Sequence, residues 1–174
     1  MKTLYIMTWL LLATSSIWCV TGCTFNGNTQ SDPVIGDIFL RPDGTGTYPT
    51  IQDAIFWAEQ GEVIVLADGV YSGEGNRDLS FMGKEITIRS ESGNPELCVI
   101  DCRDESGALH RGFVFQSQEG PGSVLEGIGI TNGNVRDSSL DWPFGGGILC
   151  RDSSSPTLKN LALVRNTASS GGGL

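Results

Sequence analysis

The chain has 174 residues, room for one domain or part of one, with 20 Asp+Glu against 11 Lys+Arg and a formal charge of −9. That acidic balance excludes a nucleic-acid binder that tracks phosphates, because such a protein needs a basic face. Twenty-four glycines, several in G-G-G or turn-like contexts, point to a fold with many tight corners.

Residues 1–22 read as a signal peptide. Lys2 precedes an apolar run that includes Met7, Trp9, Leu10, Leu11, Leu12, Ala13, Ile17 and Trp18. The run is too short and interrupted for a membrane span. It ends in Val20-Thr21-Gly22-Cys23, which resembles a bacterial lipobox, where a small residue precedes a cysteine that becomes the lipidated N-terminus. An ordinary signal peptide cut near Gly22 is the alternative. The expected location is therefore outside the cytoplasm. The chain is expected to be an outer-membrane or cell-surface lipoprotein that meets the membrane only through lipid on Cys23, and otherwise a secreted protein.

Residues 23–36 are polar and rich in Gly, Asn and Ser, the composition of a flexible tether. Order is expected from Asp37-Ile38-Phe39-Leu40, a short strand. Asp43-Gly44-Thr45-Gly46-Thr47-Tyr48 follows as a turn; its glycine spacing and the lack of a Gly-Lys-Ser/Thr exclude a phosphate loop. Residues 50–60 carry the one convincing helix pattern. Thr50 is the expected N-cap with Asp53 three residues on, Ile51, Ala54, Ile55 and Ala58 form an apolar stripe, and Gly61 is the expected terminator.

Strand and turn fill the remainder. Short β-branched or aromatic runs lie at Val63–Leu66, Leu79–Phe81, Ile86–Ile88, Cys98–Ile100, Gly112–Phe115, Ile128–Ile130, Ile148–Cys150 and 158–164, bounded by turn-forming residues. Such strands suit a sandwich or barrel as well. An internal repeat favours a solenoid instead. Gly145-Gly146-Gly147-Ile148 recurs 26 residues on as Gly171-Gly172-Gly173-Leu174, and Leu125–Ile130 matches Leu158–Leu163 at an offset of 33, the excess being a loop at 135–144. Ile64 to Ile86 spans 22 residues, and Ile86 to Ile128 spans 42, which reads as two further turns of a period in the low to middle twenties. Gly133 and Asn166 hold equivalent positions after matched strands and are expected to take the left-handed backbone of a corner. Ile64, Ile86, Ile128 and Leu161 are the expected inward apolar ladder.

With Cys23 lipidated, Cys98, Cys102 and Cys150 remain. Cys98 and Cys102 lie four apart in an apparent strand, too far to bridge without a bend at about 3.3 Å per residue. His110 is the only histidine, and no C-x-x-C pair completes a zinc site. The thiols are expected to stack inside the fold as small apolar groups. No metal or cofactor is indicated; acidic ladders could hold Ca2+, but no D-x-D-x-D run supports it.

These segments resemble a known superfamily. Asp43-Gly44-Thr45-Gly46, Thr50-Ile51-Gln52-Asp53-Ala54 and Val63-Ile64-Val65-Leu66-Ala67-Asp68-Gly69-Val70-Tyr71 are similar to the N-terminal region of pectinesterases, pectin-lyase-like right-handed β-helix proteins in which a helix covers the open end of the stack. Gly145-Gly146-Gly147-Ile148, Ser154-Ser155-Pro156-Thr157-Leu158 and Asn166-Thr167-Ala168 resemble repeats of bacterial β-helix surface proteins and of chlamydial polymorphic membrane proteins. The resemblance covers residues 37–174 and implies an all-β fold, a right-handed parallel β-helix (solenoid) with an N-terminal capping α-helix. No segment matches the catalytic motifs of those enzymes. The stop inside a G-G-G repeat suggests a domain truncated at its C-terminus.

Two groups of residues could carry chemistry. Asp101, Arg103, Asp104, Glu105, His110 and Arg111 are the densest ionisable cluster and could supply a carboxylate pair, a base and an arginine for an acidic sugar; a solvated loop between coils is the simpler account. Asp141, Trp142 and Phe144 set aromatic rings beside a carboxylate, as glycan contacts require, unless the rings fold back over the coil edge. No catalytic residue is assigned. The leading expectation is an exported surface protein with a structural, adhesin-like or glycan-binding role, its partner a polysaccharide or cell-surface glycan. The alternative is the N-terminal part of a polysaccharide lyase or glycoside hydrolase acting on acidic polysaccharide, with catalytic coils beyond residue 174.

Overall fold

A computed structural model of the chain describes residues 37–136 and 142–174. The leader, Cys23, the expected tether and Asp141 lie outside the described residues. The described part is predominantly β, with one helix. In chain order it comprises β1 (Asp37–Leu40), α1 (Ile51–Trp57), β2 (Val63–Leu66), β3 (Gly69–Ser72), β4 (Leu79–Ser80), β5 (Thr87–Ser90), β6 (Cys98–Asp101), β7 (Phe113–Phe115), β8 (Val124–Glu126), β9 (Gly129–Thr131), β10 (Asn134–Val135), β11 (Ile148–Cys150), β12 (Thr157–Lys159), β13 (Ala162–Val164) and β14 (Thr167–Ala168).

Among the described residues every strand pairing is parallel, and each sheet takes its strands from successive passes of the chain. The sheet orders are β1-β2-β5-β8-β12, β3-β6-β9-β13, β4-β7-β11 and β10-β14. This is solenoid-like stacking. Register sets one apolar residue over the next: Ile38, Ile64, Ile88, Leu125 and Leu158 align in the first sheet. Tyr71, Ile100, Ile130 and Leu163 align in the second, and Leu79, Phe113 and Ile148 in the third. These ladders meet in one core, with Phe81, Phe113 and Phe115 in mutual ring contact. Each fully buried aliphatic or aromatic side chain there contributes about 1.5–3 kcal/mol.

The repeat arithmetic changes. Ile64 aligns with Ile88, not Ile86, and one pass carries Ile88 to Leu125, where the sequence suggested two. That pass is long because it contains three connections, 91–97, 102–112 and 116–123. Leu125 pairs with Leu158 and Ile130 with Leu163 at the expected offset of 33. The G-G-G repeat also stacks as expected, the Ile148 N–H donating to the Gly173 carbonyl at 2.9 Å.

The corners differ too. The runs 125–130 and 158–164 each break into two strands, at Gly127 (φ 69°) and Asn160 (φ 46°). The next left-handed residues are Asn132 (φ 60°) and Arg165 (φ 57°), one position before the expected Gly133 and Asn166. Gly133 is needed for closeness instead: a Cβ there would lie 1.9 Å from the Gly146 carbonyl oxygen. Asn166 seals that corner, its side chain accepting from the Gly133 N–H at 2.9 Å and donating to the Ile130 carbonyl at 2.9 Å.

α1 is shorter than the 50–60 pattern suggested. Thr50 caps it as expected, accepting from the Asp53 N–H at 3.1 Å, and Ile51, Ala54, Ile55 and Ala58 are buried. Its end is set by Ala58, whose backbone is extended, rather than by Gly61. Lys84 occupies the vacated carbonyls, donating to Ile55, Phe56 and Ala58 at 2.6–2.8 Å, which suits a cation at a helix C-terminus. Two side chains close strand edges nearby. The Gln52 amide donates to the Ser80 carbonyl and accepts from its N–H on β4, while Thr47 does the same for Phe39 on β1 through its N–H and hydroxyl. Cys98 and Cys102 are buried free thiols pushed up to about 12 by burial, the inert behaviour expected of stacked apolar groups, whereas Cys150, expected inside with them, is exposed.

Candidate functional site

The connections before β4 and before β7 lie side by side because their strands pair. Leu79 aligns with Phe113, and the Asp78 N–H donates to the Arg111 carbonyl at 2.7 Å. This brings Arg77 and Asp78 from one pass against Asp104 and His110 from the next. With Glu74 and Gly75 they line a cavity of about 390 Å³.

His110 is the centre of the group. Its Nδ1 lies 2.5 Å from Asp78 Oδ2, and its Nε2 lies 3.4 Å from Asp104 Oδ2. Nε2 is buried and makes no hydrogen bond. A neutral imidazole has one donor and one acceptor, so two carboxylates cannot both be served by it. Asp78 also accepts from the Arg111 N–H at 2.9 Å. Asp104 accepts from the Ser106 hydroxyl and N–H and pairs with Arg77, and these contacts, in that order, hold its carboxyl well below the usual range. Arg77 also donates from Nη1 to the Arg103 carbonyl at 2.7 Å. Among the described lining residues Arg77 is the one arginine, and it is engaged by Asp104 and the Arg103 carbonyl, while Glu74 and Asp78 keep acceptor capacity.

Of the sequence-derived cluster, only Asp104 and His110 enter this cavity. Asp101 turns to Asn132 Nδ2 at 2.8 Å, Arg103 and Glu105 are exposed, and buried Arg111 points elsewhere. Arg77 and Asp78 were not singled out by sequence reasoning. Aligning Leu79-Ser80-Phe81 with Phe113-Val114-Phe115 is the signal that brings them in.

Arg111 connects the cavity to the second group. Its backbone N–H holds Asp78, and its guanidinium donates to the Trp142 carbonyl at 2.8 Å; burial lowers its pKa. Trp142 and Phe144 are 48% and 44% exposed, so neither ring is lost in the core. One face of Trp142 rests on the Arg151 guanidinium, 4.7 Å from the ring centroid, and Arg151 is steadied by Gln116 at 2.6 and 3.0 Å. The indole is therefore a braced, half-open platform. Phe144 lines a separate apolar cavity of about 340 Å³ with Ile148, Cys150 and Leu174.

Chemically, the Asp78–His110 pair orients an imidazole, as proton transfer requires. The other nitrogen, however, faces Asp104 at 3.4 Å without a hydrogen bond, and among the described residues that line the cavity there is no Ser, Thr or Cys to act as nucleophile. Carboxylates aimed into a polar cavity accept hydrogen bonds from hydroxyl groups. No protein-family model, no curated protein and no solved structure matches this chain.

Proposed function

We propose that residues 37–174 form a right-handed parallel β-helix of the pectin-lyase-like kind, exported and anchored by lipid on Cys23, which holds a glycan at the cell surface without cleaving it. The observation that carries the glycan reading is the link made by Arg111, which ties an acceptor-lined cavity to a braced tryptophan platform. Sugar rings stack on an indole face, and their hydroxyls donate to carboxylates, so one saccharide chain can use both. The solenoid-like stacking of parallel strands supports the fold named here, and the lipobox-like tetrapeptide supports the anchor. With Arg77 paired with Asp104, a neutral glycan suits the cavity better than the acidic polysaccharide of the alternative expectation.

The test is glycan binding by the exported chain against a panel of neutral and acidic polysaccharides. Binding lost in Trp142→Ala and weakened in Asp78→Asn supports the reading; binding indifferent to both substitutions sinks it. A second reading, the N-terminal part of a polysaccharide lyase or glycoside hydrolase, draws on the Asp78–His110 pair. Release of new reducing ends that His110→Gln abolishes would favour that reading instead.

A further inference from the structure

The exposed aromatic residues at the end of α1 have no role in the fold. Phe56 and Trp57 are 59% and 63% exposed, and their rings meet edge to face at 5.1 Å. Their backbone is fixed, because Lys84 binds the carbonyls of Ile55, Phe56 and Ala58. The ammonium is consumed in doing so. Exposed groups adjoining the pair in sequence or through hydrogen bonds are Glu59, Gln60 and Glu85, so the rim is acidic without a free cation. Two adjacent large rings exposed to water on a rigid helix end mark a contact surface.

We infer that Phe56 and Trp57 are the point at which the anchored domain rests on the bilayer. The inference rests on lipidation of Cys23. Residues 23–36 are 14 in number, a span of at most about 50 Å even when fully extended. They lead directly into β1, the first strand of its sheet, and α1 follows β1 in the chain and packs on β4, the first strand of another. The aromatic pair thus lies at the end of the stack where the ordered strands begin, the end to which the tether is joined in sequence. Tryptophan and phenylalanine are residues that settle at the headgroup boundary. The acidic rim favours a zwitterionic over an anionic surface. The lipid holds the chain on the membrane, and the rings set which end faces it, leaving Trp142 further along the stack and clear of the lipid.

Tryptophan fluorescence tests this. Of the four tryptophans, Trp9 and Trp18 lie in the leader, so the mature chain keeps Trp57 and Trp142. The chain is produced with its leader in a host that exports and acylates it, as Trp142→Phe and as Trp57→Phe, and each is reconstituted on zwitterionic vesicles carrying bromine-labelled acyl chains. The expected result is a blue shift and strong quenching of Trp57, with Trp142 unchanged, and a smaller effect when anionic lipid is added. Quenching of Trp142 alone, or of neither residue in a vesicle-bound chain, overturns the inference and leaves the anchor reading intact. A mature chain whose mass lacks the diacylglyceryl group overturns both. A Trp57 shift produced by soluble glycan and not by lipid overturns the inference and assigns the pair to carbohydrate.

Discussion

Two corners of the stack join successive passes of the chain through acidic side chains, and they do it in opposite ways. At one corner Glu119 is 1% exposed and accepts from the N–H of Gly83 at 3.1 Å, the N–H of Ser117 at 2.8 Å and the hydroxyl of Ser154 at 2.8 Å. Those donors come from three passes. Burial pushes its carboxyl up, but the hydrogen bonds more than offset this, so its pKa falls below the ordinary value. At the other corner Asp78 and Asp104 bracket His110 beside an open cavity, with one imidazole nitrogen left without a bond. The difference separates two uses of the same group. A carboxylate whose lone pairs are all met by the chain is a structural pin; one whose lone pairs face a cavity is available to a ligand.

The sharpest way to break the comparison is Glu119→Ala. It removes the acceptor of three part-buried hydrogen bonds, and a loss of about 2 kcal/mol is expected from a fall in the urea midpoint. Glu119→Gln should cost less, because the amide oxygen still accepts.

Acid should then distinguish the pin from its neutral analogue. A depressed folded-state pKa contributes stability that is fully present above the unfolded carboxylate value, about 4.3, and is lost as pH falls through the folded value. Stability of the parent chain should therefore drop below about pH 4.5. The slope should be shallower in Glu119→Gln, as urea titrations at successive pH values would show.

The open corner should respond in binding more than in stability. Asp78 is half-exposed, and its substitution by Asn should cost about 1 kcal/mol or less, since an amide oxygen can still accept from Arg111. A large stability loss paired with unchanged glycan binding would erase the distinction between the two corners.

The smallest effect concerns backbone alone. Arg165 holds φ 57° in a position where Gly carries no Cβ penalty, and Arg165→Gly should raise stability by about 0.5 kcal/mol, read as a small increase in melting temperature.

What the sequence revealed follows from which interactions are local or strictly periodic. Apolar runs, the Thr50 cap and the matches of Leu125 with Leu158 and Gly147 with Gly173 were legible because stacking repeats the same side-chain requirement. Pass length was not, because a connection of any size can leave the ladder unchanged, so the segment from Ile88 to Leu125 looked like two passes. Corner positions were misread by one residue because Asn and Gly serve two needs, left-handed backbone and close approach, and Gly133 answers the second. The candidate site was half legible. Asp104 and His110 are close in sequence, whereas Asp78 meets His110 only after two strands have paired. Trp142 and Phe144 were identified by their exposed-loop composition, but the arginine that braces the indole lies in the following segment.

The residues that close the first strand edges give the molecule a direction. Parallel ladders are ordinarily open at both ends, each end an equally good template for another strand. Here Thr47 satisfies Phe39, and Gln52 satisfies Ser80, so on β1 and β4 these main-chain groups are already spoken for. Strands can then add to those two ladders from the far side only. Such a stack extends like a zipper with a stop sewn into one end, and removing the stop with Gln52→Ala would make the β4 edge sticky in both directions.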